Sequence, residues 1–167
     1  MRIRAEEPRD WPAVHAVNEA AFGQSAEANL VAALREQAHP LISLVAEDED
    51  AIVGHILFSP VTLTGHPALR IMGLAPMAVA PERQREGIGS SLVRAGLDEC
   101  RKLGFGAVVV LGHPEYYPRF GFFPAARFGV GCEYDVPEEV FMAMELEPGH
   151  LRGVSGTIRY HEAFNSV

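Results

Sequence analysis

The stretch RQREGIGSSL, residues 83–92, puts Gly87 and Gly89 where an apolar helical stripe begins. Glycine costs roughly 1 kcal/mol against alanine in a helix interior, so something other than helix stability favours it there. The first turn of a helix has unpaired backbone N–H groups and a partial positive charge, and together they bind anions, phosphate in particular. Glycine removes the side chain that would keep a phosphate away from those donors. Arg83 and Arg85 add positive charge nearby, and the Gln84 amide can donate a hydrogen bond. A tight turn that lets the helix pack on a sheet would select the same glycines, so the segment alone leaves both readings open. A Walker loop is excluded, because no Gly-Lys-Ser or Gly-Lys-Thr occurs. A dinucleotide fingerprint would need glycine where Leu92 stands.

Those residues need a scaffold. RIRAE (2–6) alternates and reads as a short strand. Trp11, Val14, Val17, Ala21 and Phe22 recur at helical spacing, and Ser25 is placed to cap a second helix whose stripe is Leu30, Val31 and Leu34. The period then changes. LISLVAED (41–48) and AIVGHILFSPVTL (51–63) read as a hairpin, and RIMGLAPMAVAP (70–81) as the next strand. Residues 87–103 form an amphipathic helix whose apolar side holds Ile88, Leu92, Val93, Gly96, Cys100 and Leu103. AVVVLG (107–112) is continuously apolar, as a strand buried on both faces would be. EYYPRFG reads as a short helical turn, and 139–147 and 154–164 as late strands. The order implies one α/β (α+β) domain over 1–167: a mixed, mostly antiparallel sheet flanked by helices, with one parallel β-α-β crossover. Such crossovers bind ligands at the carboxyl ends of their strands.

Composition narrows the class. A 48% apolar and 22% charged chain is that of an ordinary soluble globule. The net charge is −8 and no basic cluster is visible, which argues against nucleic acid. No apolar run approaches the roughly 18 residues that cross a bilayer. MRIRAEEPRD has no apolar export core, and Cys100 and Cys132 lack metal-ligand spacing. The expectation is a reduced, cytoplasmic protein without a metal, with a homodimer left open.

Gln84-Arg85-Glu86-Gly87-Ile88-Gly89, after LAPMAVAPE (74–82), resembles the acyl-coenzyme A signature Gln/Arg-x-x-Gly-x-Gly/Ala of the GNAT N-acetyltransferases. LGHPEYYPRFGF (111–122) is similar to the YhbS-like branch of that superfamily. The element order fits from about residue 2 to the last strand, and the motifs are densest between 72 and 123. The resemblance implies acetyl-CoA as cosubstrate and a strand before the signature that splays from the next one. Backbone groups of Met77, Ala78 and Val79 would then bond the pantetheine arm like an added strand. Pro76 fits on its own physics, because proline inside a central strand belongs where the ladder is bulged or open. The N–H groups from Arg85 through Glu86, Gly87, Ile88 and Gly89 to Ser90, with Gln84, would hold the pyrophosphate.

Acetyl transfer from a thioester to an amine needs a deprotonated amine, a stabilised oxyanion and, often, a proton for the departing thiolate. The segment Tyr116 to Phe122 matches the family's tyrosine motif, which implies Tyr117 as the acid facing the coenzyme sulfur. Relatives often place an asparagine before this turn to contact the pantetheine. Here the segment is GHP, and His113 is the residue that could stand in. Relatives also use a glutamate on the strand before the signature, yet residues 70–80 hold no acid. Glu47, His55, His66, Glu115 and Glu133 are candidates for the base, and none is singled out. The implied activity is acetylation of an unidentified primary amine, with residues 22–40 and 128–138 walling its pocket. A non-catalytic coenzyme-binding sensor or partner module, and an acyltransferase using a longer acyl-CoA, are the alternatives.

Overall fold

The computed structural model describes residues 1–166. In chain order the elements are β1 (Arg2–Ala5), α1 (Trp11–Phe22), α2 (Ala26–Gln37), β2 (Ile42–Asp48), β3 (Ala51–Leu63), β4 (Ile71–Val79), α3 (Ile88–Lys102), β5 (Ala107–Leu111), β6 (Phe123–Pro124), β7 (Val130–Cys132), β8 (Phe141–Glu145) and β9 (Gly156–Arg159). Short 3-10 turns include Pro81–Arg83 and Tyr117–Phe120. The chain divides into two compact units. The first takes Met1–Ser59, Ala75–Gly96 and the residues from Glu162 on; the second takes Pro60–Leu74 and Leu97–His161.

In the first unit β1, β2 and β3 form an antiparallel ladder, with Arg2 opposite Glu47 and Ile42 opposite Phe58. Gly23, at φ 70, ends α1 by directing its N–H to the Glu19 carbonyl. Ser25 takes the N-cap position of α2, but contrary to the expectation its side chain makes no capping hydrogen bond. Val14, Leu30, Val31, Leu34, Ala38, Val45 and Leu57 make one buried cluster between these helices and the strands. On β3, consecutive side chains face opposite ways. A Cβ at Gly54 would stand 3.0 Å from Ile88 and Leu92 of α3, whereas His55 bonds Asn18 of α1. Gly96 of α3 lies so close to the Phe58 ring that any side chain there would collide with it. The glycines that seat α3 on the sheet are therefore Gly54 and Gly96.

In the second unit the first half of β4 runs parallel to β5, from Ile71 opposite Ala107 to Leu74 opposite Val110. Strand β8 is antiparallel to both β5 and β6. Val108, Val109, Val110, Met142 and Ala143 are buried, as the apolar run AVVVLG implied. The β4-α3-β5 crossover and the mostly antiparallel mixed sheet agree with the sequence expectation. Two details differ. The late segment 154–164 is strand only over Gly156–Arg159, and it turns into a 3-10 stretch at Glu162. Strand β9 also makes a second parallel pair, with β7, and meets the end of β3 at Thr62 and Leu63. Strands β6 and β7 have two and three residues, too few to show a period.

Candidate active site

The pairing of β4 with β5 runs from Ile71 to Leu74, and β4 itself extends beyond it through Ala75–Val79. Pro76 sits just past that last pair, where its missing N–H removes nothing from the β4–β5 ladder. Ala78 is buried, while Met77 and Val79 are half-buried. After Val79 the chain makes the 3-10 turn Pro81–Arg83, extends at Gln84, and then takes left-handed φ at Arg85 (67°) and Gly87 (87°) before α3 begins at Ile88. A Cβ on Gly87 would meet nothing within 4 Å. Its requirement is conformational: a left-handed residue aims the following N–H groups along the start of the helix. Packing on the sheet, the competing explanation for this glycine, is served elsewhere.

The loop is pinned from several sides. Ala80 donates its N–H to the Val53 carbonyl at 2.9 Å. The Gln84 amide donates to the Val79 carbonyl at 3.2 Å, so in this structure it braces the loop on β4. Arg83, expected as loose positive charge, is held by two carboxylates: Nη2 bonds Asp48 at 2.9 Å and Nε bonds Glu86 at 3.0 Å. Arg85, Glu86 and Gly87 are exposed, Gly89 and Ser90 half-buried, and Ile88 buried as the anchor of the turn.

In the second unit Tyr117 opens its 3-10 turn with its ring 7% exposed. Tyr116 meets it edge-on at 5.0 Å between centroids and Phe122 at 5.7 Å. The ring rests on the bare backbone of Gly112, where a Cβ would overlap it. Burial, with Tyr116 beside it, pushes the phenol up to about 12, so it is protonated at neutral pH. The His113 carbonyl accepts from the N–H groups of Tyr116 and Tyr117, at 3.0 and 3.4 Å. The His113 ring itself lies in an exposed residue. Arg119 is exposed and folds back over Tyr116, with its Nε on that residue's carbonyl at 2.9 Å.

The base candidates are scattered. His55 is completely buried, and desolvation lowers it to about 3. Its Nδ1 accepts from Asn18 at 3.2 Å, which leaves the proton on Nε2 for Ser43 Oγ at 2.9 Å. A ring sealed in this way is a core residue. Glu47 is hydrogen-bonded by Arg4, which holds it below the usual carboxylate range. Glu133 accepts the Tyr160 N–H at 2.9 Å, Glu115 is exposed and His66 half-buried. Burial raises both thiols, Cys100 to about 12, so neither resembles an activated nucleophile. Sequence reasoning missed two supports: Gly112 as the seat of Tyr117, and Asp48 as an anchor for Arg83. Nothing local marks either one, because each is defined by a partner distant in sequence or by the absence of a side chain.

Residues 2–125 match the family described as acetyltransferase (GNAT) domain, and the chain belongs to that family of N-acetyltransferases. It is 40% identical over 166 residues to the uncharacterized N-acetyltransferase YhbS of Escherichia coli (strain K12), covering 99% of each chain. The crystal structure of Escherichia coli YhbS in complex with CoA matches with TM-score 0.92 and 39% identity, over 98% of this chain and 91% of that one. A GNAT family acetyltransferase from Brucella melitensis, in complex with acetyl-CoA, matches with TM-score 0.81 and 37% identity over 98% and 97% of the two chains.

Proposed function

We propose that the protein moves the acetyl group of acetyl-CoA to a primary amine by direct attack in a ternary complex. The N–H groups from Arg85 to Ser90 take the diphosphate, and the backbone of Met77, Ala78 and Val79 takes the pantetheine arm. The observation that carries this reading is the left-handed pair Arg85 and Gly87 at the mouth of α3. Support comes from a whole-length likeness to an N-acetyltransferase whose crystal structure contains CoA. The neutral amine nitrogen attacks the thioester carbonyl, the C–S bond breaks, the electron pair leaves on sulfur, and the proton that nitrogen sheds on becoming an amide passes to water. Tyr117 donates its phenolic proton toward that sulfur. A phenol near 12 facing a thiol of ordinary pKa roughly 8.5 gains little from early transfer. The hydrogen bond therefore strengthens as charge builds on the leaving group, where it lowers the barrier. Both cysteines are free thiols and take no part; the proposed compartment is the cytoplasm.

A thiol-release assay over a broad amine panel, run beside calorimetry with CoA, tests the proposal. The expected result is CoA binding together with amine-dependent thiol release. CoA binding without release from any amine would overturn the catalytic reading in favour of a sensor or partner module. Release from longer acyl-CoA donors alone would reassign the acyl group.

A further inference from the structure

Arg83 stands at the edge of the coenzyme loop, where a cation would ordinarily be assigned to phosphate. Its surroundings indicate a different role. Its guanidinium donates to Asp48 Oδ2 from Nη2 at 2.9 Å and to Glu86 Oε1 from Nε at 3.0 Å. Ion pairing raises the arginine and lowers Asp48. Asp48 closes β2, immediately before the hairpin turn at Glu49 and Asp50, both of which have left-handed φ. The backbone N–H of Arg83 donates to the Ala80 carbonyl at 2.8 Å, and Ala80 is in turn tied to Val53. One end of the arginine is thus fixed to the β2–β3 hairpin and the other to the residue before Gly87. Glu86 is the awkward member. Its carboxylate lies inside a loop that is to receive a dianionic diphosphate, and unpaired it would repel that ligand.

We infer that Arg83 is a positioning residue for coenzyme binding. It neutralises Glu86 and straps the loop to Asp48, keeping the Arg85–Ser90 N–H groups in their anion-binding shape, and it does not itself contact phosphate. The inference rests on reading that loop as the diphosphate site.

The two roles predict opposite signs for Asp48→Asn. Removing a negative charge near an anion site tightens anion binding if charge alone matters, and it also frees Arg83 to reach the phosphate. If Arg83 is a strap, the same change loosens the loop and weakens binding. Calorimetry on the full chain with CoA and with pantetheine, which lacks the diphosphate, separates the cases. The wild type is expected to bind CoA at least about 100-fold more tightly than pantetheine. Arg83→Ala should weaken CoA about tenfold and Asp48→Asn about threefold, with pantetheine unchanged. The double variant should be no weaker than Arg83→Ala, because both changes cut the same strap. Arg83→Lys, which keeps the charge but loses the two-ended fork, should fall between. Ligand-free melting curves confirm that each variant is folded. Tighter CoA binding by Asp48→Asn, or fully additive losses in the double variant, would overturn the strap. A wild type that fails to distinguish CoA from pantetheine would refute the diphosphate site itself, and the strap with it.

Discussion

Between Ala80 and Ser90 most side chains face solvent, and the loop keeps its shape through backbone bonds, two left-handed residues and ion pairs. Between Gly112 and Phe122 the central residue is buried among aromatic rings and rests on a glycine. The contrast follows from the chemistry proposed for each. A diphosphate arrives charged and hydrated, so its receptor must be open and rich in fixed N–H dipoles. A proton donor must stay neutral until the reaction needs it, and burial supplies that by penalising the phenolate. One region depends on backbone conformation, the other on packing, and perturbations should therefore affect different measured quantities.

The largest separation is expected from Tyr117→Phe. The ring and its aromatic contacts persist, so the ligand-free melting temperature and the CoA dissociation constant should hold within about twofold. Loss of a positioned acid should lower kcat by about 10²–10³-fold. Steady-state kinetics beside calorimetry reads both, and an equal loss in binding and turnover would show that the phenol serves the ground state. Gly112→Val follows. The added side chain occupies the space of the Tyr117 ring, so it should destabilise the fold by about 1–3 kcal/mol as overpacking does. It should reduce kcat through displacement of the ring. A variant of unchanged stability and turnover would mean that Tyr117 does not need this seat.

The unequal legibility of the two regions has a physical origin. The amphipathic stripe Ile88, Leu92, Val93 and Cys100 announces α3, and all four are buried. Gly87 at its mouth stood out as a poor helix former inside a helical stripe, but the sequence left phosphate binding and sheet packing both open as its reason. His55 was not readable. AIVGHILFSPVTL is apolar on both faces of β3, so alternation cannot say whether a histidine in it points to solvent or core, and it passed for a base candidate. The strap from Arg83 to Asp48 joins positions 35 residues apart, and charged residues near a turn are too common to pair by inspection. The two- and three-residue strands β6 and β7 owe their existence to the ladder partners β8 and β9, which is tertiary information.

The first unit also contains a fully buried titratable ring, which gives a prediction independent of catalysis. His55 is lowered to about 3 in the fold, against 6.5 for the free group. The unfolded chain therefore binds a proton that the native state refuses over that interval, and stability is lost as pH falls below 6.5. By pH 5 the loss from this ring alone should be about 2 kcal/mol. Chemical denaturation at several pH values should show it. His55→Gln, though less stable at neutral pH, should have a slope between pH 6.5 and 5 that is smaller by about one proton. An unchanged slope would place the acid sensitivity in other groups.

The smallest effect, and the most selective, belongs to Gly87→Ala. A Cβ at this position has open space around it, so packing predicts no consequence. Conformation predicts otherwise, because φ is 87° and a non-glycine residue there costs about 1–2 kcal/mol. The chain can avoid part of that cost by relaxing the loop away from its left-handed shape, at the expense of the N–H geometry. The apparent KM for acetyl-CoA should then rise about five- to tenfold, with kcat and the amine KM near their original values. Gly87→Asn should recover part of the loss, since asparagine tolerates left-handed φ better than alanine. Equal KM values for the alanine and asparagine variants would mean that side-chain bulk, and not backbone conformation, selects the glycine at the mouth of α3.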